Sequence, residues 1–415
     1  MTFKGKLWHH RDFLKFWTGD TITQFTGQIS GFAFPIVAVL TLEVTGFQLG
    51  VLEALSFLPF PTIALFVGVW MDRWRRRPVM IAANLVQVAA LGSVPAAYLL
   101  DALSLYQLYA VALAMGITTV FYDVAYQSYL PSLVDKEDVV EGNQKLQISS
   151  SASGVIGPSV ASALYGLVGG ALSIVADAVG TLAAAFALAF IGQPEPTPVP
   201  REPGTERHFF AEMKEGIKVV TGNKLLWTQA GCTGTSNLGS GIFQVAFLLY
   251  VYRTLLISPE VAGVIFSIGS VGFLLGVLAT SRITASLGLG RTIALSMVGN
   301  FALFIVLLAQ GEFALLTVGV AEFIAFFGIP IYNINQVSLR QIITPNRLQG
   351  RMNATMRTFV WGTIPAGSFL GGVFASGLGT LPTLLIGIVI SGGASLWIFL
   401  GPIFKLRTQP EPAKD

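Results

Sequence analysis

The sequence predicts an all-α membrane protein whose twelve transmembrane helices form two six-helix halves. Composition is the first reason: of 415 residues, 53% are hydrophobic and only 11% are charged, and the mean hydropathy is +0.68. Soluble domains do not reach such values. A transmembrane helix needs about 20 mostly apolar residues, and the apolar residues fall into twelve runs of this kind. The third reason is that basic residues are concentrated in alternate loops.

The twelve predicted spans are separated into two groups of six by one long polar segment. Their approximate bounds are 14–41, 47–70, 78–100, 104–129, 142–168, 170–191, 223–252, 260–281, 291–309, 312–338, 350–376 and 380–404. The polar segment is Pro-rich at first and then has a helical pattern with one apolar side. The apolar side consists of Phe209, Phe210, Met213, Ile217 and Val220. The predicted domains are residues 1–192, a cytosolic linker over 193–222, and residues 223–415.

The distribution of charge supports this number of spans. If both termini are cytosolic, all of the 25 Lys and Arg residues except Arg253 lie in cytosolic segments, as the positive-inside rule requires. Topology therefore explains the net charge of +3, and no nucleic-acid partner is expected. The N-terminal residues lack a short apolar core followed by a cleavage site, and we interpret them as a retained cytosolic segment. The sequence predicts a multi-pass protein of the cytoplasmic membrane.

The loop after the second span reads GVWMDRWRRRPV and places four arginines between two apolar spans. Its pattern, Gly-x-x-x-Asp-Arg-x-x-Arg-Arg-Pro, resembles the loop 2–3 signature of the major facilitator superfamily. The resemblance implies a gating role for five residues: Gly68, Asp72, Arg73, Arg76 and Arg77. Asp72 is expected to latch the cytoplasmic side through a helix N-terminus or a nearby arginine. The alternative is a basic loop that only sets topology.

Residues 122–144, YDVAYQSYLPSLVDKEDVVEGNQ, resemble the branch of this superfamily that includes macrolide-efflux and enterobactin-exporter proteins. The fifth span is similar to the antiporter motif Gly-x-x-x-Gly-Pro, although Ser153 replaces its first glycine. This similarity makes Gly157 and Pro158 gating candidates, with helix packing and bending as the alternative role. The resemblance implies a secondary active transporter for proton-coupled efflux of lipophilic drugs or similar amphipathic molecules by alternating access.

Other functions remain open at this point. One alternative is a siderophore, lipid or metabolite carrier of the same superfamily, working as an exporter or importer. Another is a membrane receptor or scaffold that transports no substrate. The single Cys232 excludes an internal disulfide, and the three histidines join no carboxylate cluster with metal-ligand spacing. We therefore predict no enzymatic activity, no metal and no cofactor. The expected partners are a small-molecule substrate, protons and the lipid bilayer, and the expected state is a monomer.

The two halves share residues at a constant offset, as expected of transporters built from repeats. Three identities recur 210 residues apart: Tyr122, Asn143 and Gly157 with Tyr332, Asn353 and Gly367.

Ionisable residues within the spans are functional candidates because a charge in the hydrocarbon region costs several kcal/mol. Glu322 lies about ten residues into its span, near the expected midplane, and is the main candidate for proton coupling; Asp20 and Asp123 are the others. A structural hydrogen bond to a neighbouring helix is the alternative for Glu322, and a gate or helix-end charge is the alternative for the two aspartates. We interpret Glu53 and Asp177 as structural.

Polar and large side chains form helical stripes on spans 1, 4, 7 and 10, which line the central cavity in this superfamily. The substrate-cavity candidates are Gln24, Gln28, Met115, Thr119, Gln229, Thr233, Asn237, Gln244, Phe326 and Asn333. For the stripe on the seventh span, hydrogen bonding between packed helices is the alternative interpretation.

Overall fold

The structure is a computed structural model that describes residues 6–71, 73–135, 137–195 and 209–411. It contains helices and no strand within those ranges, so the predicted all-α class is confirmed. The chain divides into two compact units, one of Met1–Val44 with Leu58–Glu202 and the other of Thr45–Phe57 with Pro203–Asp415. The first unit contains α1 (Arg11–Ile36), α3 (Pro59–Met71), α4 (Arg76–Leu99), α5 (Leu105–Leu133), α6 (Val139–Val168) and α7 (Gly170–Ala189).

The second unit begins with α2, which precedes α3 in the chain. Its helices are α2 (Gly46–Phe57), α8 (Phe209–Gly222), α9 (Lys224–Leu249), α10 (Pro259–Leu287), α11 (Leu289–Val298), α12 (Ala314–Ile342), α13 (Asn346–Gly377), α14 (Thr380–Gly393) and α15 (Ser395–Leu400).

Eleven helical stretches in the described ranges are long and apolar enough to cross a membrane. The helix of the remaining predicted span, α9, is 26 residues long. Its mean hydropathy is lower than that of the eleven stretches because the residues of its polar stripe, including Gln229 and Asn237, lie among the apolar residues. Each of the twelve predicted spans is thus helical in the structure.

Several spans that the sequence predicts as single helices depart from uniform α-helix. The second is divided at Leu58, between α2 and α3, because a proline disfavours the α conformation of the residue before it and Pro59 follows directly. The first ends in a wider π turn, Val37–Thr41, just after Pro35. The ninth continues from α11 as a 3-10 helix over Gly299–Leu308, and the twelfth is interrupted at Ala394 between α14 and α15.

The same packing arrangement occurs inside each unit. In the first, α1 packs against α6 and α7, and in the second, α9 packs against α13 and α14. A Cβ atom on Gly157 of α6 would lie 2.7 Å from Cβ of Gln28 on α1, and one on Gly367 of α13 would lie 3.0 Å from the carbonyl carbon of Leu238 on α9. Both glycines therefore let equivalent helix pairs approach closely.

The turns between the last two spans of each unit also match. Gly169 precedes α7 with φ 83°, and Gly379 precedes α14 with φ 89°, at the 210-residue offset seen in the sequence. Positive φ is adopted readily by glycine and only at a cost by other residues. Each of these turns thus depends on its glycine.

The amphipathic helix α8 packs within the second unit. Val220 is buried together with Leu226 of α9 and with Met352 and Met356 of α13. The Glu215 carboxylate forms an ion pair with a guanidinium on α13. Val220 of α8 therefore packs against the N-terminal parts of α9 and α13.

Glycine packing between α2 and α13 provides a test of the fold. A Cβ atom on Gly50 would lie 2.6 Å from Cα of Gly372 and 2.6 Å from the carbonyl oxygen of Ser368. Gly50→Ala is therefore expected to lower the free energy of unfolding by about 1–3 kcal/mol through overpacking. Gly92→Ala is the control, because a Cβ there meets no described atom within 4 Å; it should be neutral or stabilise by up to about 1 kcal/mol. Equal thermal unfolding of the two variants in detergent would contradict this packing.

Candidate functional site

Two of the predicted proton-coupling residues meet within the first unit. Asp20 on α1 is only 2% exposed, and it interacts electrostatically with Asp123 on α5. The side chain of Gln24, one helical turn further along α1, lies within hydrogen-bonding reach of the Asp20 carboxylate. Oδ2 of Asp20 has no hydrogen-bond partner among the described residues. A buried carboxylate on α1 with an unused oxygen therefore interacts with a partly buried carboxylate on α5.

Aromatic rings enclose this pair. The Tyr122 and Tyr126 rings stack with centroids 6.0 Å apart, and Phe16 of α1 lies 5.4 Å from the Tyr126 ring. Both tyrosines also interact electrostatically with Asp20 and Asp123. These rings place apolar surface beside the two carboxylates, and each tyrosine hydroxyl is a group that can donate a hydrogen bond.

Glu322 lies in the second unit, against α10. It is 4% exposed, and Gly269 of α10 packs beside both Glu322 and Phe326, since a Cβ atom there would lie 3.6 Å from Glu322 Cβ. No described residue gives Glu322 a hydrogen bond or an ion pair. It lies eight residues from the start of α12 at Ala314, about 12 Å at about 1.5 Å per residue.

The polar stripe of α9 is largely occupied by hydrogen bonds to neighbouring helices. Gln229 Nε2 donates to the Gln336 carbonyl at 3.2 Å, and Asn237 Nδ2 donates to the Val360 carbonyl at 2.9 Å. The Thr233 hydroxyl lies 2.6 Å from the Tyr332 hydroxyl. These contacts favour interhelical hydrogen bonding for this part of the stripe, the alternative that the sequence left open.

The remaining cavity candidates differ in exposure. Gln244 at the far end of the α9 stripe and Asn333 on α12 are exposed, whereas the candidates on α1 and α5 are partly buried. The latter are Gln24, Gln28, Met115 and Thr119. Gln28 also packs against the predicted gating residue Gly157, and Pro158 follows within the same helix. The structure thus brings one cavity candidate and one gating candidate into contact.

The loop between α3 and α4 contains the other gating candidates. Asp72 lies outside the described residues, Arg73 is exposed, and a Cβ on Gly68 would meet no described atom within 4 Å. The backbone N–H groups of Arg76 and Arg77 donate to Glu195 at 2.6 and 3.0 Å. The Arg77 guanidinium also donates to the Ala189 carbonyl.

Glu195 is therefore the N-terminal cap of α4, and sequence reasoning missed it. Its side chain is 4% exposed and its carboxylate lies 3.7 Å from the Arg76 guanidinium. Positive side chains are unfavourable at the positive end of a helix dipole, and the loop places several arginines there. A buried carboxylate at the same end offsets this effect. The position lies 119 residues from Arg76, in a segment whose sequence indicates only a linker.

Glu195→Ala is expected to lower the free energy of unfolding by about 1–2 kcal/mol, the usual effect of losing a helix cap. The matched control is Gln193→Ala on the same segment, since the hydrogen bond described for Gln193 is made by its backbone N–H. Thermal unfolding of the purified protein measures both. Equal melting temperatures for the two variants would mean that the arginine loop does not depend on Glu195.

Other polar groups with interhelical partners also escaped sequence reasoning. Thr284 of α10 donates to Asn335 of α12 at 3.1 Å, and Asn300 donates to Ser236 at 3.4 Å. Their spacing from the predicted stripes gave no indication of these partners. Within the described ranges, no group of three or more His, Cys, Asp or Glu side chains could hold a metal ion.

Comparison with known sequences gives a consistent result. Residues 16–237 match the model of the Major Facilitator Superfamily. Macrolide efflux protein A of Streptococcus pyogenes is 27% identical over 383 residues, which cover 88% of this chain and 90% of that protein. The enterobactin exporter EntS of Salmonella typhimurium is 25% identical over 370 residues, with 85% and 84% covered.

Solved structures show the same fold at lower identity. A bacterial homologue of the iron transporter ferroportin in an inward-facing state matches with a TM-score of 0.73 at 15% identity, covering 94% of this chain and 98% of that one. The nucleoside transporter NupG matches with a TM-score of 0.71 at 12% identity, with the same coverage. At these identities the likeness is one of fold alone.

Proposed function

Because the chain belongs to the major facilitator superfamily, we propose that it is a proton-coupled exporter of lipophilic drugs or similar amphipathic small molecules. Members of this family are transporters rather than enzymes, and the chain is a multi-pass protein of the cytoplasmic membrane. The names of two similar proteins, a macrolide efflux protein and an enterobactin exporter, support export as the direction. Alternating access would carry the substrate from one side to the other.

The observation that carries proton coupling is the burial of Glu322 without a partner. Its carboxyl lies in the helix pair α10–α12 at 4% exposure, and no described residue neutralises it. An ionised carboxylate in that position costs several kcal/mol. The carboxyl is therefore protonated while it is buried, and exposure to a less acidic compartment would release the proton.

The Asp20–Asp123 pair supports a role for a second protonation step. Like charges repel, so two neighbouring carboxylates in a poorly solvated position are most stable when they share one proton. The pair lies near the start of α1, nine residues from Arg11, about 14 Å at about 1.5 Å per residue. Loss of the shared proton would drive α1 and α5 apart, which makes the pair a candidate gate.

The cavity candidates favour substrates with little fixed charge. Three of these candidates, Gln28, Gln244 and Asn333, offer side-chain amides and no cation. We therefore expect neutral or cationic amphipathic compounds to compete with one another for transport. Saturation by one small polar anion, with no inhibition by lipophilic compounds, would contradict this substrate class.

Export of an amphipathic siderophore is the second candidate, because the similarity to an enterobactin exporter covers 85% of the chain. Cells that express the protein, compared with cells that express Glu322→Gln, should survive higher concentrations of several lipophilic drugs. A host that lacks its own siderophore exporter distinguishes the second candidate. Restored siderophore release with unchanged drug susceptibility would replace the drug proposal with the siderophore one.

A further inference from the structure

A second buried carboxyl group lies between α1 and α7 in the first unit, and the proposed function does not use it. Asp177 is fully buried, as are Thr181 on its own helix and Ser30 on α1. Thr26 lies one turn before Ser30 on the same side of α1. A carboxylate and three hydroxyl groups therefore meet between two helices.

The oxygen atoms of this cluster are incompletely used. Thr181 Oγ1 lies 3.2 Å from Oδ1 of Asp177, and the hydroxyls of Thr26 and Ser30 are directed at the same carboxylate. Yet Oδ2 of Asp177 and the oxygens of Thr26 and Ser30 complete no well-formed hydrogen bond with any described residue. Buried polar groups in membrane helices are normally satisfied, so these three oxygens are open to a ligand.

Other hydroxyls of α1 show the usual arrangement. Thr21 donates to the Trp17 carbonyl at 2.7 Å, and Thr23 donates to the Gly19 carbonyl at 3.1 Å. Thr26 and Ser30 depart from this pattern on the same helix. Their hydroxyl groups are therefore not bound to backbone carbonyls of α1 and can face α7.

Gly180 on α7 allows α1 and α7 to pack closely. A Cβ atom there would lie 2.7 Å from Oγ1 of Thr26, so any side chain would displace Thr26 from the cluster. The glycine thus allows the α1 hydroxyls to reach the α7 carboxylate.

We propose that this cluster is a sodium-ion site, formed by the Asp177 carboxylate and the hydroxyl oxygens of Thr26, Ser30 and Thr181. Hard cations take oxygen ligands, and each hydroxyl has two acceptor lone pairs. The interactions described for Asp177 include no basic side chain. Its single negative charge matches one monovalent cation, whereas a divalent ion would leave an uncompensated charge buried at high cost.

The site is separate from Glu322, which lies in the other unit, and its test does not depend on substrate. Purified protein in detergent is titrated with radioactive sodium, with unlabelled sodium or choline chloride as competitor at constant ionic strength. Saturable binding of one ion per chain is expected, with displacement by sodium and none by choline. Asp177→Asn should abolish binding, and Ser30→Ala or Thr26→Val should weaken it at least about tenfold.

Two controls should bind sodium like the unmodified protein. Ser173→Ala removes another buried hydroxyl of α7, one that donates to the Gly170 carbonyl at 2.7 Å, and Glu322→Gln removes the proposed proton carrier. The absence of saturable binding in the unmodified protein would overturn the proposal and leave a proton as the only occupant. Wild-type affinity in Ser30→Ala and Thr26→Val would overturn it equally, even if Asp177→Asn does not fold.

Discussion

Glu322→Gln is expected to bind substrate and exchange it downhill while losing uphill accumulation completely. The amide has the shape of the protonated carboxyl, so packing beside Gly269 is preserved. It cannot release a proton when the site opens. A pH difference of one unit supplies about 1.4 kcal/mol per proton and so sustains about a tenfold accumulation. In the variant that ratio should fall to equal concentrations on both sides.

Proteoliposomes with an imposed pH gradient measure both properties in one preparation. Accumulation of labelled substrate reports coupling, and exchange against excess unlabelled substrate reports transport without coupling. The control is Glu43→Gln, the same chemical change at an exposed position between helices, which should accumulate substrate like the unmodified protein. If Glu322→Gln still accumulates substrate against its gradient, the coupling group lies elsewhere, and Asp20 and Asp123 become the first candidates.

Asp20→Asn is expected to slow transport at least tenfold at every pH. Two ionised carboxylates that interact in a poorly solvated position repel each other, and this repulsion is the force that would separate α1 from α5. Replacing one carboxylate removes it, so the helices would stay together. A change of about 1.4 kcal/mol in the barrier already alters a rate tenfold.

Initial transport rates across a range of pH, for each single variant and for the Asp20→Asn/Asp123→Asn double variant, test the pair. Because the two residues act through one interaction, the double variant should be little slower than either single variant. Asp101→Asn at an exposed turn is the matched control and should keep the unmodified rate. Strictly additive effects, or an unmodified rate in Asp20→Asn, would show that the carboxylates do not act together.

Hydropathy was sufficient to predict the helical membrane fold because burial in lipid constrains every residue of a span. It could not predict interruptions within spans, since a break such as the one at Leu58 replaces few apolar residues. The polar stripe on α9 shows that residue spacing also has a limit. Spacing identified Gln229 and Asn237 as one face of a helix, but only the packed structure shows that they donate to carbonyls of α12 and α13.

Residues whose role depends on contacts with distant parts of the sequence were the hardest to predict. Glu195 caps α4 from a Pro-rich segment, and Asp177 faces hydroxyls of α1 that are about 150 residues away in sequence. Neither of these contacts produces a periodic pattern in the sequence. Glu322 and Asp20 could be named as candidates from the sequence because a carboxyl group inside an apolar span is rare whatever surrounds it.

Proton movement linked to substrate movement tests the central claim most directly. Proteoliposomes containing a pH-sensitive dye and the unmodified protein should show a proton flux opposite in direction to the substrate as soon as substrate is added, without an imposed pH gradient. The Glu322→Gln protein should exchange substrate with no such flux. Substrate transport by the unmodified protein with no accompanying proton flux would contradict proton-coupled export.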